Sequence, residues 1–139
     1  MAAVVIVGLL ASIGLPTYAA IIERQKVQQA ARDLQVISLS LESWHSKYFA
    51  YPENLSDLGM NLPKDPWGND YEYLNFDSPV PGINGKIRKD HNLHPLNTGF
   101  DLYSKGQDGQ SRAPLTASAS QDDVIYARDG GFVGLASDF

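Results

Sequence analysis

Cysteine is absent from all 139 residues, which excludes disulfides, thiol catalysis and Cys-based metal sites together. A basic surplus is absent too: 11 Lys and Arg stand against 16 Asp and Glu, for a net charge of −5. The imbalance falls late in the chain, where residues 65–139 hold six basic and eleven acidic side chains, so no nucleic-acid partner is expected. No glycine motif cradles a phosphate, and no Ser, His and acid occur at a suggestive spacing. From Ala2 to Ile22 charge disappears, with Tyr18 the one weakly acidic side chain. Between Thr17 and Ala50 there is neither Pro nor Gly.

What is present begins with that uncharged run, AAVVIVGLLASIGLPTYAAII. As a helix it would reach roughly 30 Å, the thickness of a hydrocarbon core, and it reads as a membrane span. A cleaved signal peptide needs a positive segment before the apolar run, and only Met1 precedes it. A buried core helix needs a larger body around it than the rest of the chain supplies. Gly8 and Gly14 weaken the helix, and Pro16 lacks the N–H that would reach the Ser12 carbonyl. In lipid such a weakened segment needs cover from neighbouring helices, so Gly8, Gly14 and Pro16 are expected to mark packing against other copies. The competing reading is that Gly and Pro are simply common in membrane helices.

Beyond Ile22 the chain becomes charged with no turn signal. Val27, Ala30, Leu34, Ile37, Leu41, Trp44 and Tyr48 recur in steps of three and four, one stripe on one helical face. One helix is therefore expected from near residue 2 to about residue 49, closed by Pro52. Three parts follow: 1–22 as the span in lipid, 23–50 as an amphipathic half-helix, and 51–139 as a small head. Leu34, Ile37, Leu41 and Trp44 are the expected packing residues of the stripe. His45 beside it reads as a packed or surface histidine.

In the head, a short helical turn is expected after Asn54 or Ser56. Asp65-Pro66-Trp67-Gly68-Asn69-Asp70 is a dense turn signal, with Trp67 large enough to plug the head onto the stripe. Strands are expected at Tyr71–Leu74, Phe100–Ser104, Val124–Ala127 and Gly131–Leu135. Residues 75–99, with three Pro and three Gly, read as a long exposed loop with at most a weak strand or turn at Ile83–Ile87. Strands this short cannot bury a face alone, which predicts an α+β fold: a small antiparallel sheet laid on the second half of the helix.

His91 and His94 fall in a polar loop and read as solvated. The turn Lys105–Gln110 leaves one strand, and Gln121-Asp122-Asp123 enters the next. If those strands are neighbours, Asp108 approaches Asp122 and Asp123, and three carboxylates without basic neighbours call for a hard cation such as calcium. Solvated turn carboxylates are the alternative, and the spacing is not that of a helix–loop–helix calcium motif.

Gly8 to Pro16, GLLASIGLP, resembles the membrane half of the N-terminal helix of type IV pilin-like proteins. Leu62 to Tyr73, LPKDPWGNDYEY, and Phe100 to Gly109, FDLYSKGQDG, followed by Asp122-Asp123, resemble the major pseudopilins of the type II secretion system. The resemblance implies a non-enzymatic structural subunit, held in the bacterial inner membrane with its head in the periplasm and then stacked into a helical homo-oligomeric filament. It implies minor pseudopilins, inner-membrane secretion components and, before assembly, the lipid bilayer as partners. It also implies a calcium ion stapling the C-terminal loop region, with side-chain oxygens from Asp108, Asp122 and Asp123 and a backbone carbonyl from Lys105.

The segment Ser111–Gln121 departs from the glycine-rich loop common in that family. Family members also begin with Phe, a few apolar residues and a Glu that meets a neighbour's amino terminus; a lone carboxylate in lipid would otherwise be costly. Here the resemblance starts as though several mature residues were missing before Ala2, so a shortened start is expected, able to insert but not to be processed or assembled normally. A type IV pilin or a minor pseudopilin shares the expected fold. A membrane-anchored enzyme or binding module would need converging polar groups in a cleft.

Overall fold

The computed structural model describes residues 2–139, with side chains from residue 17 onward. The first element, α1, runs Ala2–Tyr48 as one helix, in line with the unbroken pattern after Pro16. The expected packing roles of Gly8, Gly14 and Pro16 lie outside the described side chains, as does most of the expected span Ala2–Ile22. Among the described residues no helix is long and apolar enough to cross a membrane. The helix ends where Phe49 turns left-handed at φ 59° and returns its N–H to the His45 carbonyl at 2.7 Å. Pro52 then biases Tyr51 toward extended geometry and prevents resumption.

Four strands follow: β1 (Glu72–Asn75), β2 (Phe100–Ser104), β3 (Val124–Ala127) and β4 (Phe132–Leu135). They pair in sequence order, each antiparallel to the next, with Tyr73 opposite Leu102, Leu102 opposite Tyr126 and Tyr126 opposite Val133. A 3₁₀ turn at Leu55–Leu58 follows Asn54, whose N–H donates to the Asp57 carboxylate at 2.9 Å. The first strand begins one residue later than expected, because its ladder to β2 starts with Glu72 opposite Tyr103.

Side chains alternate across the sheet, and both faces are covered. On one face Ala30, Leu34, Ile37 and Leu41 of α1 meet Phe100, Leu102, Val124 and Tyr126, with Tyr71 and Leu55 closing the cluster. The four helix residues are fully buried. Each of the three larger ones contributes about 1.5–3 kcal/mol by leaving water. On the other face Ile125 and Ala127 of β3 pack with Leu96, Leu115 and Ala136, flanked by Tyr103, Phe132 and Phe139. Trp67 is half-buried against the helix-side core and donates its indole N–H to Glu23 at 3.3 Å. Trp44 is half-buried with its ring 4.5 Å from that of Tyr48, and His45 stacks on Tyr51.

Two expectations need correction. The stripe does not reach Tyr48, which is 51% exposed, because the head stops short of the last helical turn. The segment 75–99 is exposed over most of its length, with the turn expected at Ile83–Ile87 formed as a short helix, α2 (Ile83–Lys86), but it is not solvated throughout: Ile87, Arg88, Leu96 and Asn97 are buried in it. The physical reason is the second face of the sheet. With α1 on one side, Ile125 and Ala127 would meet water unless the β1–β2 connection folded back over them.

A candidate metal centre at the end of the sheet

The site starts from the turn Asp65–Asn69. The Asp65 carboxylate accepts the N–H groups of Trp67 and Asn69 at 3.1 and 2.8 Å through Oδ1, closing an Asx-type turn. Its Oδ2 accepts the Ser104 hydroxyl at 2.6 Å, at the last residue of β2. Ser104 Oγ in turn accepts the Gly106 N–H at 3.1 Å. The motif that looked like a structural turn thus aims the next one.

Gly106 sits at φ +67°, and a Cβ there would overlap the Asp122 carbonyl. Only glycine lets the turn after β2 lie against the segment entering β3. Asp108 then presents its backbone N–H to Asp122 Oδ2 at 2.9 Å, while its own Oδ1 accepts the Gln110 N–H at 2.8 Å. One carboxylate oxygen from each of Asp108, Asp122 and Asp123 falls within 4.8 Å of the others. The side chain of Lys105, just after β2, pairs with Glu72 of β1 at 2.7 Å.

Burial raises the Asp122 carboxyl, and the charge of Asp108 adds to the rise against the opposing backbone N–H. Asp123 is fully buried and pushed up to about 6 by burial, with Ser111 and Arg88 working the other way. Asp122 Oδ1 and Asp123 Oδ1 are both buried with no hydrogen-bond partner. Two orphaned oxygens beside a third carboxylate are a costly arrangement unless something positive takes their lone pairs. The donor set is all oxygen, which suits a hard cation, so the cluster can hold a metal ion.

The expectation of three carboxylates without basic neighbours is overturned. Asp123 Oδ2 accepts from Arg88 Nη2 at 2.8 Å and from the Ser111 hydroxyl at 2.5 Å. Arg88 also donates to Ser111 through Nη1, stacks its guanidinium 4.1 Å from the centroid of Tyr103, and is 2% exposed. Its backbone N–H goes to Asp101 Oδ2 at 2.6 Å. Sequence reasoning missed Arg88 because nothing in Lys86-Ile87-Arg88-Lys89 separates one basic residue from its neighbours; its burial comes from the fold-back of the connection.

The remaining candidates lie elsewhere. Leu34, Ile37 and Leu41 are buried beneath the head, and Trp44 and Trp67 flank that contact. His91 and His94 are exposed, with His91 Nδ1 3.0 Å from Asp90.

No protein-family model matches the chain, and no solved structure matches it. Curated proteins do. The chain is 30% identical to the type II secretion system core protein G of Pseudomonas aeruginosa, over 79% of this chain and 80% of that one. It is 30% identical to the protein of the same name from Vibrio cholerae, over 79% and 77% of the two chains. The Escherichia coli K12 protein of that name is 28% identical, over 79% and 78%. At this identity and coverage, the chain belongs to the family of the type II secretion system core protein G.

Proposed function

We propose that the chain is a structural subunit of the type II secretion system, a pseudopilin that assembles for protein export and is not an enzyme. Family membership supports this, and one observation gives it a physical form. Among the described side chains the head meets α1 from Glu23 onward, where Trp67 lies, leaving Tyr18 64% and Ile21 46% exposed, and the sequence before them is uncharged. A helix of 47 residues is about 70 Å long, far beyond the reach of this head. The uncharged run Ala2–Ile22, roughly 30 Å of that helix, needs lipid or other helices around it. The reading is therefore of residues 1–22 held in the inner membrane before assembly and packed among their own copies afterwards, with 23–50 as the head's platform and 51–139 as a periplasmic head.

The finer reading is that the cation is calcium, held by Asp108, Asp122 and Asp123 with the Lys105 carbonyl. When bound, it supplies positive charge to the orphaned oxygens and ties the turn after β2 to the start of β3. The support is the oxygen-only donor set and the two unpartnered buried oxygens.

The subunit reading is tested in cells that lack their own core protein G. Expression of this chain joined behind the leader and first mature residues of the resident core protein G should restore export of a reporter substrate, and overexpression of that fusion should give filaments by electron microscopy. No restored export and no filaments, with the chain stably present, would overturn it. For the metal, chelation should lower the melting temperature by about 10 °C relative to calcium at 100-fold excess over its dissociation constant. An unchanged melt removes the calcium reading.

A further inference from the structure

Arg88 reaches the acidic cluster from a segment that contributes no carboxylate to it. Its backbone N–H, both terminal nitrogens and the face of its guanidinium are held there, while its Nε is buried without a partner. Asp101 takes its backbone N–H; the next residue is bridged to the 111–115 segment, with Lys89 N–H to the Ala113 carbonyl at 3.1 Å and Leu115 N–H to the Lys89 carbonyl at 2.8 Å. Tyr103 carries the face of the guanidinium, and its two terminal nitrogens end on Asp123 and Ser111. A group so fixed is part of the site's construction.

The consequence lies in the division of Asp123. Its Oδ2 is committed to Arg88 and Ser111, while its Oδ1 is buried and unpartnered. We propose that Arg88 is a resident cation of the cluster, which neutralises Asp123 through one oxygen and leaves the other for the metal, so that the loop stays closed without metal and binds it more weakly than three free carboxylates would. This rests on the metal reading above. Two effects set the direction. A buried carboxylate that loses its only charged partner is strongly unfavourable, so without metal Arg88 holds the loop. A guanidinium across one carboxylate from a divalent ion repels it, and its removal leaves Asp123 Oδ2 with the Ser111 hydroxyl as its one partner.

The test uses the whole chain in detergent, with calcium affinity by titration calorimetry and thermal unfolding in calcium and in chelator. Arg88→Met should bind calcium roughly tenfold tighter than wild type, and its melting temperature should fall on chelation by about one and a half times the wild-type fall at the same calcium concentration. Arg88→Lys keeps the charge but not the fork and should hold wild-type affinity within about threefold.

Weaker calcium binding by Arg88→Met would make Arg88 a mere scaffold for Asp123 and overturn the proposal. So would equal affinity and equal chelation shifts in wild type and Arg88→Met, or tighter binding by Arg88→Lys to the same degree as Arg88→Met. Failure of Arg88→Met to fold in excess calcium also overturns it, because the metal should then compensate Asp123. A wild type that binds no calcium defeats the metal reading itself, whereas binding that ignores Arg88 defeats this inference alone.

Discussion

Tyr71 joins the head to the helix through one hydroxyl. It is 7% exposed in the helix-side core, and its O–H donates to Asp33 Oδ2 at 2.6 Å, across a sequence separation of 38 residues. Burial, and then the bond to Asp33, hold its phenol well above the usual tyrosine range, so it stays neutral and remains a donor. Tyr71→Phe removes the bond and leaves the ring packed. Hydrogen bonds to charged groups contribute about 1.5–3 kcal/mol. Asp33 is half-buried and keeps the Gln29 amide on Oδ1 at 2.9 Å, which places the loss at the low end, about 1.5 kcal/mol. For a chain of this size that is a fall of about 6 °C in melting temperature. The assay is thermal and urea unfolding of wild type, Tyr71→Phe, Asp33→Asn and the double variant. The coupling should be about 1 kcal/mol, since both single changes break the same bond. A Tyr71→Phe loss below roughly 0.5 kcal/mol, or strictly additive variants, would refute the view that this bond fastens the head to the helix.

Leu41→Ala empties a fully buried position and should cost about 3 kcal/mol in urea unfolding, whereas Leu39→Ala, at 70% exposure, should change little. Gly106→Ala should cost about 3 kcal/mol and weaken calcium binding by titration, because the turn sits at φ +67° and a Cβ meets Asp122. Burial pushes Asp101 up to about 7 from 3.8, against the Arg88 N–H and charge. The folded state therefore holds this proton more tightly than the unfolded one, and its contribution is fully present below about pH 4 and lost as pH rises through about 7. Asp101→Asn should remove up to about 4 kcal/mol of that slope, read as the difference between the two stability curves over this window in chelator; parallel curves would refute the assignment.

The helix-side half of the molecule was readable in one dimension because its determinants are local. Spacing alone put Ala30, Leu34, Ile37 and Leu41 on one face, and the lack of Pro and Gly after Pro16 carried the helix to Tyr48. Strands β2 and β3 stood out as short apolar runs between turn residues, and once they are neighbours Asp108 must come near Asp122 and Asp123. The far face was not readable. A polar run such as Lys86 to His94 looks solvated until the β1–β2 connection folds back, which buries Ile87 and Arg88 and sets Leu96 against Ile125 and Ala127. The carboxylates of the site are thus a property of the sequence, since adjacent strands deliver them. The arginine that shares Asp123 is a property of the tertiary structure, because burial of a charge depends on what packs around it and no local pattern encodes that.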